Sequence, residues 1–266
     1  MRNPLLQWLF YGHVWIALAA AALCWQSRYL HAESADFAPA IPFVFFGTLG
    51  VYTLHRLLSY HRAGGEPDGR RYRVVARLPR RSAAVGAAAL LLAGLVAWWI
   101  PLPRFWPVLL ALPFTGFYLV PVYPGGPRLR DLPYLKVVWV ALAWTLMTHV
   151  FPTHGAVWTA ETAVRFAFTL SVALLFDTRD VELDRRQGTR TLAATHPGIN
   201  RLLALTLLGG CTVVSLLHYP TVGARLAAAY AVGIAVGALT RPGHGEDWYA
   251  VAVNGLLLLP PLVLLV

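Results

Sequence analysis

Carboxylates are scarce in this chain: 12 Asp and Glu residues among 266, against 22 Lys and Arg, for a formal net charge of +10. Cysteine is scarcer still, with only Cys24 and Cys211, each inside a different apolar run. Two cysteines so placed make neither a disulfide framework nor a C-x-x-C metal site. Charged residues reach only 13%, so no sizeable polar domain is left outside the apolar blocks. A positive balance can mark nucleic-acid binding, but here the basic residues lie between apolar blocks and form no compact basic domain. No nucleic-acid partner is expected.

What the chain has in quantity is apolar sequence, 58% hydrophobic residues in long blocks and not in an amphipathic rhythm. Such blocks read as membrane spans. Nine can be drawn, at about 5–25, 37–58, 82–100, 105–122, 134–151, 162–176, 199–218, 223–239 and 248–266. The first is read as a retained helix, because no small-residue cleavage site precedes Trp25. The expectation is an all-α polytopic membrane protein with 1–266 as one transmembrane domain. Prolines Pro42, Pro113, Pro121, Pro260 and Pro261 should kink or end helices.

Orientation follows from the arginines. With nine spans, 18 of the basic residues fall on the side of the N-terminus, eight of them from Arg56 to Arg81, and four on the other. Positive charge is retained on the cytoplasmic side, so the N-terminus is expected inside and the C-terminus outside, in a bacterial inner membrane.

A third of the carboxylates sit in one stretch, F-D-T-R-D-V-E-L-D-R-R-Q-G-T-R-T-L from Phe176 to Leu192. If the end of the sixth block stays helical, Asp177, Asp180 and Asp184 share one face. Acids stacked this way repel one another unless a cation sits among them. Mg²⁺ carrying a phosphate is one candidate, since it takes a few carboxylate oxygens together with substrate phosphates. The alternative is a solvated loop whose acids pair with Arg179, Arg185, Arg186 and Arg190.

Two further clusters lie on the same expected side. Tyr52, His55 or Arg56, Ser59 and Arg62 form a polar stripe at the end of the second block. The stripe reads either as a phosphate-gripping fork or as a snorkelling anchor. Tyr123, Arg128, Arg130, Asp131, Tyr134 and Lys136 surround the start of the fifth block, with Trp139 and Trp144 below them. They could join a charged rim to an aromatic-lined interior, or serve as positive-inside anchors. Tyr118, Thr148, His149 and Asn254 lie within blocks, where helix-to-helix hydrogen bonds are the ordinary use of polar residues.

Arg179-Asp180, Asp184, Gly188 and Thr191-Leu192 together resemble the second aspartate-rich signature of the UbiA superfamily of intramembrane prenyltransferases, R-D-x-x-x-D-x-x-x-G-x-x-T-L. Tyr134-Leu135-Lys136 is similar to that family's basic position at the start of its fifth helix. The resemblance implies a helical bundle around a central cavity and an isoprenoid diphosphate as substrate. It implies Mg²⁺ on Asp177, Asp180 and Asp184, with fewer ions than the two-motif enzymes hold. Arg56, Lys136 and Arg62 would take the diphosphate, and Tyr52, His55, Ser59, Tyr123, Arg128, Trp139 and Arg190 would line the substrate site. Prenyl transfer to an acceptor and terpene cyclisation both fit. The family's first signature, N-D-x-x-D-x-x-x-D, is missing: its place reads Y-T-L-H-R-L-L-S-Y-H-R from Tyr52 to Arg62, with Glu66 and Asp68 the nearest acids. That departure leaves a second reading open, a catalytically degenerate member that binds an isoprenoid or quinone-like lipid or assists another membrane enzyme.

Overall fold

The computed structural model describes residues 4–31, 38–62, 78–118, 120–186 and 188–266. Glu66, Asp68, the arginines between 70 and 77, and the side chain of Arg62 lie outside the described residues. The described chain is helical, without strands.

Each of the nine apolar blocks carries helix, but their ends and lengths follow local chemistry. The first block divides into α1 (Pro4–Tyr11) and α2 (Val14–Leu30), bent by 53°. His13, at φ +68°, makes the break. The left-handed region is costly for a residue with a Cβ, so surrounding contacts must hold it there. One such contact is Thr53 Oγ1, 3.4 Å from His13 Nδ1.

The second and third blocks are α3 (Ala40–Arg62) and α4 (Pro79–Ala97). Pro42 falls in the first turn of α3, where a missing N–H breaks no intrahelical bond, so it neither kinks nor ends the helix. The fourth block shortens to α5 (Trp106–Gly116), 11 residues with Pro113 near its end.

The fifth block is α6 (Lys136–Thr145), continued by a π-helical turn, Leu146–Val150. The sixth is α7 (Ala160–Asp177), whose first turn is capped by Thr159 Oγ1 accepting from the Thr162 amide at 3.2 Å. A 3₁₀ turn, Thr178–Asp180, leads into α8 (Val181–Arg186). After α9 (Leu192–Thr195) come α10 (Pro197–His218) and α11 (Gly223–Leu239). The last block alternates α, π and 3₁₀ turns from 246 to 262, with Pro260 and Pro261 inside the final one.

Among the described residues, three helices (α3, α4 and α10) are long and apolar enough to cross a bilayer, and the bent α1–α2 pair makes a fourth. The rest fall short for visible reasons. At about 1.5 Å per residue, α5 covers little more than half of a hydrocarbon core of about 30 Å. In α7 the apolar run is interrupted by Glu161, Arg165 and the terminal Asp177.

The helices close on themselves. α2 packs on α3 and on the π turn after α6, α6 packs on α7, α7 on α10, and α10 on α11. The C-terminal segment bridges α11 back to α2, while α4 covers α3 from outside. Leu23, Phe168, Leu175, Leu208, Leu226, Tyr249 and Val253 form the main core between these elements. A second, smaller core joins Ala20, Cys24, Val44 and Phe151. The α10–α11 turn needs glycine: a Cβ on Gly223 would stand 2.3 Å from Ser215 O.

The outside is as apolar as the inside. Leu91, Leu109, Leu202 and Leu217 are more than half exposed, and Trp98 and Trp158 are almost fully so. A water-facing surface does not carry apolar side chains in such continuous number, whereas a lipid-facing one does.

Candidate functional site at the end of α7

The helical track continues past Asp177 through the 3₁₀ turn into α8, keeping Asp177, Asp180 and Asp184 within successive turns of one another. Lys136, the chain's only lysine, opens α6 beside them and is 7% exposed. Its Nζ lies 2.6 Å from Asp177 Oδ1, 2.9 Å from Asp184 Oδ2 and 3.3 Å from Asp184 Oδ1. Three carboxylate oxygens from two residues thus converge on one cationic position, and Asp184 is fully buried. One ammonium against two carboxylates leaves a formal excess of one negative charge.

Asp180 points elsewhere. Arg179 grips it through Nε at 3.0 Å and Nη2 at 2.9 Å, and the same guanidinium lies 4.3 Å above the Phe176 ring. Among the described residues no three His, Cys, Asp or Glu side chains gather at a common metal position. The expected cation is there, but as the lysine ammonium.

The backbone braces this arrangement. Tyr134, at φ +62°, donates its amide to Arg190 O at 2.9 Å, tying the approach to α6 to the loop after α8. Gly188, at φ +67°, makes the turn leaving α8, a conformation that costs glycine little. Thr191 Oγ1 accepts the Ala194 amide and starts α9. Asn200 Nδ2 donates to Leu174 O at 3.0 Å and lies 3.4 Å from Thr178 Oγ1, holding the end of α7 against α10.

Tyr118 links the acids to α3. It lies within electrostatic reach of Lys136, Arg130, Asp177 and Asp180, and the Arg130 guanidinium sits 5.9 Å from its ring. The His55 ring is 5.6 Å from the Tyr118 ring. One turn along α3, Tyr52 accepts a hydrogen bond from Trp144 Nε1 at 3.0 Å, and its ring is 6.1 Å from His13. Arg56 stands within electrostatic reach of both Tyr52 and His13. A column of aromatic and imidazole rings therefore runs inward from the charged end. Trp139 is stacked on Phe114 at 5.4 Å, and its buried Nε1 has no hydrogen-bond partner among the described residues.

Other expected site residues make contacts of their own or face outward. Arg128 is committed to Asp131, through Nε at 2.7 Å and Nη2 at 2.8 Å, within its own 3₁₀ turn. Partial burial opposes ionisation of Asp131, but the hydrogen bonds and charge of Arg128 prevail and hold its carboxyl below the usual carboxylate range. Tyr123 is 61% exposed, and Arg190 is exposed as well. Ser59 is half-buried near the end of α3. Sequence reasoning assigned Tyr118 an ordinary helix-to-helix role and did not foresee the Lys136–aspartate pairing. The signals in the sequence were the place of Lys136 at the start of the fifth block and of Tyr118 in the last turn or two of the fourth.

No protein-family model matches this sequence, and no curated protein matches it. Solved structures do match in fold. A UbiA homolog from Archaeoglobus fulgidus bound to GPP and Mg²⁺ superposes with a TM-score of 0.65 at 15% identity, covering 97% of this chain and 100% of the other. The structure of a UbiA homolog from the same organism bound to DMAPP and Mg²⁺ gives 0.63 at 15% identity, with 97% of each chain covered. The chain has the UbiA fold over nearly its whole length.

Proposed function

We propose that this chain is an integral membrane protein of UbiA type that binds an isoprenoid diphosphate at the α7 end of its bundle. The observation that carries the reading is the convergence of Asp177 and Asp184 oxygens on Lys136 Nζ, with Tyr118 within electrostatic reach and its ring against His55 of α3. The similar UbiA homologs from Archaeoglobus fulgidus, bound to GPP or DMAPP with Mg²⁺, support the choice of ligand. In this reading all nine apolar segments lie across the membrane as one domain, with the N-terminus cytoplasmic and the C-terminus outside.

The donor set fits a magnesium ion in part. Carboxylate oxygens already converge on a cationic position, but too few for a full shell, so phosphate and water oxygens must complete it. Asp177, Asp180 and Asp184 would hold the metal, which when bound would neutralise the diphosphate and favour its departure. Lys136 would donate its N–H groups to diphosphate oxygens, and Arg56 and Arg62 would grip the same group from α3. His55, Ser59, Tyr123, Arg128 and Arg190 are the remaining polar residues of the proposed rim. The isoprenoid tail would lie along Tyr52, Tyr118, Trp139 and Trp144, whose π faces can steady an allylic cation. Capture of that cation by an acceptor gives prenyl transfer; capture by the tail's own double bonds gives cyclisation.

A second reading is favoured by one feature: the end of α3 offers His55 and Arg56 where a second set of carboxylates would be needed for a two-sided metal clamp. In that reading the site binds an isoprenoid or quinone-like lipid without turnover, or assists another membrane enzyme. Purified protein given geranyl, farnesyl or geranylgeranyl diphosphate with Mg²⁺ separates the two. Pyrophosphate release that vanishes in Asp180→Ala and Asp184→Ala supports catalysis. Lipid binding without release, indifferent to both changes, supports the non-catalytic reading.

A further inference from the structure

Each of the three aspartates at the end of α7 already has a cation on it. Lys136 opens α6, Asp177 closes α7 and Asp184 lies in α8, so three elements meet at one ammonium. The side chains of Lys136, Asp177 and Asp184 are 8%, 7% and 0% exposed. Asp180 is held by Nε and Nη2 of Arg179, in a pair that water still reaches at 18% and 17% exposure. A divalent ion seeking these oxygens therefore meets a rival at every one of the three residues.

The two rivals are not alike. Arg179 can give up Asp180 to water at little cost, as partly exposed ion pairs do. The Lys136 ammonium is enclosed, and once parted from its carboxylates it is an uncompensated charge away from water unless other acceptors reach it. If it stays, bare Mg²⁺ turns the formal excess of one negative charge into one positive, with two cations on the same oxygens. Diphosphate removes both obstacles. Its oxygens complete the Mg²⁺ shell and accept the N–H groups that leave Asp177 and Asp184. A four-carbon stem with three donors can swing between the two sets of oxygens, while the short aspartate side chains stay where their helices hold them.

We propose that Lys136 competes with Mg²⁺ for Asp177 and Asp184, so that the site admits the metal only together with a diphosphate. The proposal rests on the isoprenoid-diphosphate reading above and adds an order to it: bare metal is excluded, and metal and diphosphate enter as a pair. Each then strengthens the binding of the other by the same factor.

The test reads binding and not turnover. The full chain in neutral detergent is titrated with magnesium chloride, with sodium chloride at matched ionic strength as reference, and thermal unfolding is followed. Each titration is run with and without geranyl S-thiolodiphosphate, an analogue that ionises poorly. Wild type should show a saturable rise in Tm with Mg²⁺ when the analogue is present. Without it, the half-saturating Mg²⁺ concentration should be about tenfold higher or more. Lys136→Met should gain a saturable response to Mg²⁺ alone, lost again in Lys136→Met/Asp184→Asn. Should Lys136→Met fail to fold, Lys136→Gln removes the same charge and keeps a polar end. The proposal is overturned if wild type takes Mg²⁺ alone within about threefold of its affinity with the analogue, a result that needs no variant. It is equally overturned if the folded Lys136 variant ignores Mg²⁺. The diphosphate reading fails separately, if the analogue leaves the wild-type Tm unchanged at every Mg²⁺ concentration; the competition at the carboxylates is then upheld or overturned by the Lys136 variant's titration with Mg²⁺ alone.

Discussion

Lys136 and Asp184 are 48 residues apart in the chain and joined at 2.9 Å in the fold, both buried. With Asp177 on the same ammonium, they form a buried charge cluster at the α7 end of the bundle. Removing the cation leaves two carboxylates facing each other away from water. Lys136→Met should therefore destabilise the protein by about 3–5 kcal/mol. The double variant Lys136→Met/Asp184→Asn should recover part of the loss. Thermal unfolding in a fixed detergent measures both, and a double variant no better than the single would show that the ion pair is not the cause.

Asp180 and Asp184 should separate structure from function. Asp184 is fully buried, whereas Asp180 is on a partly exposed pair with Arg179. Asp180→Asn is expected to change stability by less than about 1 kcal/mol. It should nevertheless abolish pyrophosphate release, if Mg²⁺ is held as proposed. Asp184→Asn should lower both. Full turnover in Asp180→Asn would remove that residue from the metal set.

Arg56→Ala tests the cationic wall. Diphosphate affinity, read as inhibition by inorganic pyrophosphate, should fall about tenfold or more, the loss of one charge-assisted contact. Melting temperature should move little. The opposite pattern, an intact affinity with a lower Tm, would make Arg56 an anchor for α3.

Tyr52→Phe strips the acceptor from Trp144 Nε1. An indole N–H left alone in an apolar interior costs about 1–3 kcal/mol. The same loss should appear as a blue shift of tryptophan emission if Trp144 dominates the spectrum's buried component, and unchanged stability would mean the bond is readily replaced.

Gly223→Ala should destabilise the α10–α11 pair by about 1–3 kcal/mol through overpacking, because the new methyl would be driven onto Ser215 O. Gly209→Ala, where a Cβ meets nothing within 4 Å, is the matched control and should be neutral or better.

Several features were legible in the residues alone. Block length and hydropathy place a helix on each apolar segment, and the 223–239 segment has the expected ends. The i, i+3, i+7 spacing anticipates that Asp177, Asp180 and Asp184 follow one helical track, which the 3₁₀ turn and α8 maintain. The signature around Asp180 and Asp184 pointed to the fold that the solved structures share. The bounds were less legible where breakers act locally. Pro42 was expected to disturb α3 and does not, because its place in the first turn makes its missing N–H harmless.

Hydropathy and periodicity are properties of neighbouring residues, and they set the helices and their polar ends. Which charges meet is a matter of how those helices pack. Nothing near Lys136 in the chain says that its ammonium will hold Asp177 and Asp184 while Arg179 takes Asp180, since the partners come from different helices. Nor does anything near Arg165 say that its guanidinium will take its acceptors from α2 while Glu161, one turn away, meets His218. Local sequence limits where each side chain can stand; only the mutual approach of α2, α6, α7 and α10 chooses its partner, because ion pairing and burial depend on distances through space.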